Sequence, residues 1–309
     1  MAKPVLIDTD MGVDDALAVS LALNCDALDV VGLASVGGNV DCDQATQNIG
    51  RLLAAIEPAA MPPIGVGHDQ NDADLVNATH VFGWDGFGEI DITPPSKLDT
   101  VGAIELYGDL LERHAGELII VAIGPLTNLA AVHAHDPNLL EKANRLIVMG
   151  GAVWCKGNVT PHAEFNFYRD PVAADRVLKL NVPTTLVPLD VTRQVALDES
   201  HTAHLAASGT RAGELLSNML EFQMRAGDGG QTGRVHVHDA LAVGALLWPE
   251  LFMQTTLWVD VKTDDGERGR CVPGVGGGDA HRVSVLMSLK AVDFLENLLE
   301  TLCRERFVV

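Results

Sequence analysis

Positive charge is scarce in this 309-residue chain: 21 lysines and arginines face 42 aspartates and glutamates, for a formal net charge of −21. A balance of that sign repels phosphate backbones and anionic lipid surfaces, so neither nucleic acid nor a membrane is an expected partner. Paired cysteines are lacking as well. Cys25, Cys42, Cys155, Cys271 and Cys303 are scattered, odd in number and never spaced as C-x-x-C, which favours reduced thiols in the cytoplasm over a disulfide framework. Nor is there a long apolar run. The most apolar stretch, "LIIVAIGPLTNLAAV", is broken by Gly124, Pro125, Thr127 and Asn128, and no basic segment followed by an apolar one opens the sequence. Membrane insertion and secretion are therefore not expected. Repeats, low-complexity tracts and linkers are also missing, so residues 1–309 read as a single domain, with 47% apolar side chains to fill its core.

What is present is alternation. Short β-branched runs are followed by helical patterns: "PVLID" by "DDALAVSLALN", "LDVVGLASV" by "CDQATQNIGRLLAAI", "ELIIVAI" by "LTNLAAVHAH", and "RLIVMG" by a loop and "DPVAADRVLKL", then "PTTLVPLD". This predicts an α/β fold with a mostly parallel sheet, and the near-continuous apolarity of the strand-like runs predicts helices on both of its faces. Past Asp190 the pattern turns more helical before two late strand-like pieces, "TTLWVDV" and "RVSVLMS", and a closing helix, "AVDFLENLLETL". The glycine-rich "VPGVGGGDAHR" lacks the strand and helix that flank a dinucleotide fingerprint and reads as a hairpin or loop.

Ligands of open α/β sheets bind outside the carboxyl ends of the strands. The polar clusters of this sequence fall there repeatedly: Asp8 and Asp10 end the first run, Asn39 follows the second, Gly124-Pro125 ends "LIIVAI", and Asn158, Glu164 and Asn166 follow "RLIVMGG". In "IDTDMGVDD", Asp14 reads as a helix cap and Asp15 as a first-turn carboxylate favoured by the helix dipole. Capping leaves Asp8 and Asp10 at a buried strand end unexplained. A bound hard cation explains them: oxygen ligands without nearby Cys or His favour Ca²⁺ or Mg²⁺, and a cluster completed from distant segments favours the more tolerant Ca²⁺. In "VHVHDALAV", Asp239 by itself reads as a helix-start residue and His238 as a half-buried polar one. Were Asp239 to meet Asp10 and Asp15, His238 would stand at the rim of the same pocket as a proton donor.

The ordered set "DTDMGVDDALA", "GGNV", "AIGPLTNLA", "VMGGAV", "GNVTPHAEFNFYRDPVAA" and "HDALAV", spanning nearly the whole chain, resembles the inosine–uridine-preferring nucleoside hydrolase family. The resemblance implies a Rossmann-like open sheet with extra helices in the C-terminal part. It further implies hydrolysis of the N-glycosidic bond of ribonucleosides to ribose and free base, a tightly held Ca²⁺, and a homodimer or homotetramer. Carried over residue by residue, it assigns the metal to Asp10, Asp15, the Ile123 carbonyl and Asp239. It assigns the ribose to Asp14, Asn39, Asn158, Glu164 and Asn166 with Met149 along the sugar wall, and a general-base role on a Ca²⁺-activated water to Asp10. Asp8 is expected to orient the metal ligands from behind. Charge developing at C1′ in an oxocarbenium-like transition state suits such a carboxylate-rich pocket.

Two departures bear on the base. Where the family carries His-Gly ahead of "DG", this chain reads "THVFGWDGFG", with Phe82 in that place and His80 two residues earlier. Phe82 and Trp84 are candidate stacking surfaces or simply aromatic fastenings of the loop. No tyrosine precedes His238, which leaves Phe222, Gln223, Gln231, Arg234 and His236 as candidate base contacts. Two other readings remain open from sequence: a haloacid-dehalogenase-like phosphatase, because "LIDTD" imitates an Asp-x-Asp nucleophile motif, and a non-catalytic ribose or nucleoside binder.

Overall fold

A computed structural model describes residues 2–70, 77–92, 95–226, 233–264, 266–274 and 282–304. Its strands are β1 (Lys3–Thr9), β2 (Leu28–Ser35), β3 (Ile64–Val66), β4 (Thr100–Gly102), β5 (Ile119–Ala122) and β6 (Arg145–Met149). They continue with β7 (Thr184–Val187), β8 (Ala196–Asp198), β9 (Arg234–His236), β10 (Phe252–Val261), β11 (Cys271–Gly274) and β12 (Arg282–Leu289). The helices are α1 (Val13–Leu23), α2 (Cys42–Ile56), α3 (Thr79–Phe82), α4 (Ala103–Arg113), α5 (Thr127–His135) and α6 (Phe165–Arg169). After them come α7 (Pro171–Val177), α8 (Leu189–Thr192), α9 (Glu199–Ala207), α10 (Arg211–Ala226), α11 (His238–Leu247) and α12 (Ala291–Leu302). No described helix is long and apolar enough to cross a membrane.

Ten strands form one sheet in the order β11-β10-β12-β7-β6-β5-β1-β2-β3-β4, parallel except where β10 meets β11 and β12. The chain builds outward from β1 to β4, then returns with β5 to the other side of β1. That makes the β1/β5 boundary the topological switch point, where flanking loops splay apart and leave a crevice. Period-2 alternation explains the apolar runs: Val5, Ile7, Ile119, Val121 and Ile147 pack under α1, α2, α10, α11 and α12, whereas Leu6, Ile120, Ala122 and Leu146 pack under α4, α5 and α7.

The open, mostly parallel α/β sheet and its helical C-terminal additions are as the sequence implies. The stretch between Ile56 and Glu117 differs: it holds β3, β4 and α4, none of which the sequence reading anticipates. Three-residue strands carry too little pattern to register. The helical stripe Leu106, Tyr107, Leu110 and Leu111 of α4 is legible once sought. Of "VPGVGGGDAHR", residues 275–281 lie outside the described residues.

Candidate active site

The carboxyl end of β1 turns sharply. Met11 adopts φ 40°, a left-handed conformation unusual for a side chain without a short polar group, and Gly12 then caps α1. This turn brings Asp15 back toward the strand it follows. The Thr9 hydroxyl donates to Asp15 Oδ1 at 2.5 Å, and the Gly12 N–H and Asn39 Nδ2 donate to Oδ2 at 2.8 and 3.1 Å. The Asn39 N–H donates to Asp10 Oδ2 at 2.7 Å. A Cβ at Gly38 would lie 2.0 Å from that oxygen, so only glycine admits Asp10 here.

One cleft at the switch point gathers Asp10, Asp14, Asn39, Phe82, Ile123, Met149, Asn158, Glu164, Asn166, His238 and Asp239, with Phe165 beside them. Asp15 sits fully buried beneath, and carboxylate oxygens of Asp14, Asp15 and Asp239 come within 4.8 Å of one another. Of the residues expected to hold the metal, line the ribose or stack on the base, Trp84 is elsewhere. It is 73% exposed and borders a separate surface depression with Gln44, Arg51 and Asp85, so Phe82, not Trp84, is the aromatic wall of the cleft.

Burial, the largest cause, raises the Asp10 and Asp239 carboxyls well above the ordinary carboxylate range. The Asp15 charge adds to the shift at Asp10, and the Asp14, Asp15 and Asp10 charges add to it at Asp239. Asp15 is raised less decisively, because its Thr9 and Gly12 donors oppose burial. Among the described residues, no Lys or Arg lines the cleft. The crowded, buried carboxylates fit a hard divalent cation, which would relieve both their mutual repulsion and their desolvation. Asp10, Asp15, Asp239 and the carbonyl of Ile123 are placed to contribute its oxygens.

The opposite wall rests on Glu164, which caps α6 and accepts from the backbone N–H groups of Asn166 (2.7 Å), Gly151 (2.8 Å) and Phe167 (3.1 Å). Burial nevertheless raises its carboxyl. Asn166 Nδ2 donates to the Ile123 carbonyl at 2.9 Å, tying α6 to the end of β5 while a second carbonyl lone pair remains. His238 opens α11 with Nδ1 2.7 Å from the Thr192 hydroxyl, and Asp239 follows it in the first turn.

Asp8 departs from expectation. Strand alternation turns it to the α4/α5 side, where Oδ2 accepts from Tyr107 (2.8 Å) and Asn128 (2.9 Å), and burial pushes its carboxyl up to about 7. Support for Asp15 comes from Thr9 instead, a residue visible in "DTD" but not singled out. Phe222 packs toward Gly83, and Gln223 is buried; neither lines the cleft, and nor does exposed Arg234. The His236 ring lies 5.6 Å from that of His238. Gln231 and the side chain of His80 lie outside the described residues.

Sequence reading also missed the clamp on the loop that carries Phe82. Arg51 pairs with Asp85 at 2.8 Å and donates to the Ile90 carbonyl, with both charged side chains under 10% exposed. Asn48 Nδ2 bridges the Asp85 carbonyl (2.8 Å) to that of Met11 (3.3 Å). Asp85→Asn should lower unfolding free energy by about 3–5 kcal/mol, because it strands a buried guanidinium. Arg51→Met with Asp85→Asn should recover much of that loss in denaturant melts, and a single variant as stable as the parent would remove the clamp.

An acidic, amide-lined crevice at the switch point of an open parallel sheet is where α/β enzymes take small polar ligands. The family model described as "Inosine-uridine preferring nucleoside hydrolase" matches residues 5–296, and the chain belongs to that family; it is a hydrolase of N-glycosyl compounds. It is 36% identical over 267 residues to the pyrimidine-specific ribonucleoside hydrolase RihA of Citrobacter koseri, covering 85% of each chain. To uridine nucleosidase 1 of Arabidopsis thaliana it is 33% identical, over 87% of this chain and 80% of that one. The solved plant nucleoside hydrolase PpNRh1 superimposes with a TM-score of 0.91 at 30% identity, over 98% of this chain and 99% of its own.

Proposed function

We propose that this chain hydrolyses ribonucleosides with Asp10 as general base, His238 as proton donor to the leaving base, and a resident Ca²⁺. The observation that carries this reading is the crowding of the buried carboxylates Asp10, Asp14, Asp15 and Asp239 at the carboxyl end of the sheet, in a cleft that no Lys or Arg among the described residues lines. When bound, the cation neutralises those carboxylates and supplies Lewis acidity toward oxygen ligands. Asp14, Asn39, Asn158, Glu164 and Asn166 hold the ribose hydroxyls, and Met149 forms the sugar wall. Glu164 spends three acceptor positions on backbone N–H groups and keeps capacity for a hydroxyl. Phe82 borders the base.

In the reaction, the C1′–N bond breaks with its electron pair passing to the base nitrogen, and a water oxygen bonds to C1′. One proton of that water goes to Asp10, and His238 delivers one to the base. Exchange with solvent then resets both groups. Carboxylates facing the sugar stabilise the positive charge that develops at C1′. A phosphatase reading finds no Lys or Arg among the described residues of the cleft to meet phosphoryl charge. Five free cysteines are compatible with the cytoplasm, and the family resemblance supports a homodimer or homotetramer formed from one domain of residues 1–309.

Uridine, from the name of one relative, is the first substrate to test. Purified protein with Ca²⁺ should release ribose and uracil, and 2′-deoxyuridine should react slower by several powers of ten, because the site's partners for the missing hydroxyl are left unpaired. Equal rates would overturn the ribose assignment, and no release from any ribonucleoside would overturn the activity.

A further inference from the structure

α8 is a single helical turn outside the sequence-predicted site, yet it touches both halves of the cleft. Its buried Thr192 hydroxyl meets His238 Nδ1 at 2.7 Å. Two residues earlier, the Asp190 carboxylate accepts the backbone N–H groups of Val153 and Trp154, each at 2.8 Å. Immediately after the turn, Arg193 donates to the carbonyls of Lys156 and Gly157. These contacts fasten residues 151–157, which lead directly to Asn158 at the mouth of the cleft, and the Leu189 N–H adds a bond to the Gly151 carbonyl at 2.9 Å.

We propose that α8 is a positioning element that sets the leaving-group side of the site against the sugar side, with Thr192 orienting His238, and Asp190 and Arg193 holding the loop of Asn158. The proposal rests on the reading of His238 as proton donor. With Nδ1 directed to Thr192, a proton delivered to the cleft travels through Nε2, so the hydroxyl fixes which edge of the ring faces the base. An imidazole joined to the backbone by two rotatable bonds swings away from its partner when that anchor is removed, and misplacement of a catalytic group by about 1 Å can cost on the order of 10²-fold. Asp190 acts on a different quantity. It meets two consecutive N–H groups with two carboxylate oxygens, a match that an amide side chain cannot reproduce.

The test compares uridine with p-nitrophenyl riboside, whose leaving group departs without protonation, in Thr192→Val, Thr192→Ser, Asp190→Asn and His238→Ala. Thr192→Val should lower kcat on uridine roughly ten-fold or more while the aryl riboside stays within about two-fold, and Thr192→Ser should restore the uridine rate. Asp190→Asn should raise KM for both substrates several-fold with kcat largely kept, since both carry the same sugar. If Thr192→Val slows both substrates equally, or leaves uridine untouched while His238→Ala selectively slows it, Thr192 does not orient the donor. An unchanged KM in Asp190→Asn overturns the loop-holding half. If His238→Ala itself slows both substrates alike, the donor assignment fails, a result distinct from any failure of Thr192. Should Thr192→Val not fold, Thr192→Ala is judged on the same substrate ratio.

Discussion

Asp10→Asn is expected to lower kcat on uridine by about 10²–10⁴ while KM moves by less than about ten-fold. The asparagine keeps an oxygen to accept the Asn39 N–H, now 2.7 Å from Asp10 Oδ2, and keeps the volume that Gly38 admits. What it removes is the ability to take a proton. Without a cation, burial and the Asp15 charge raise the Asp10 carboxyl, and a cation held beside it would favour the ionised form that accepts the proton. A calcium titration of the variant separates the two roles assigned to the residue. If high calcium restores the rate, Asp10 serves the cation and not the water; if KM rises and kcat stays, it serves binding alone.

Much of the candidate site is legible in the sequence because its residues lie in short local motifs. Asp10, Asp14 and Asp15 lie within one turn of a strand end, and Glu164 with Asn166 lies within one helix start, so short motifs carry them. The buried strands are equally readable in the near-continuous apolar runs "PVLID" and "LIIVA". What escaped are partners brought together only by the tertiary fold. Tyr107 and Asn128 reach Asp8 across about a hundred residues of chain, and nothing in "DTD" announces that the first aspartate turns to the opposite face. Arg51 and Asp85 belong to a helix and a loop whose pairing no local pattern encodes. Trp84 shows the complementary case: an aromatic beside a motif reads equally as a stacking surface or a loop fastening, and past the turn at Gly83, with φ 86°, it faces solvent. Local signals report which residues are reactive, and the fold decides which of them face one another.

The proposed cation should also make stability depend on pH in a definite sense. Asp10, Asp15 and Asp239 all have folded pKa values raised above the ordinary carboxylate value, chiefly by burial. Without a cation the folded protein therefore binds more protons than the unfolded chain, and unfolding free energy falls as pH rises from about 4 through the raised values. In chelator, the melting temperature should decline between pH 5 and pH 8. Calcium at about 1,000 times its dissociation constant should add about 4 kcal/mol where the carboxylates are ionised. At pH 5 it must displace protons, so the gain should be smaller. Asp8, with its carboxyl pushed up to about 7, adds to the decline in chelator, but its Oδ2 bonds Tyr107 and Asn128 on the other face of β1. Subtracting melts with and without calcium cancels that contribution. A calcium shift of equal size at both pH values, or a melting temperature in chelator that climbs with pH, would show that these carboxylates are not the ligands.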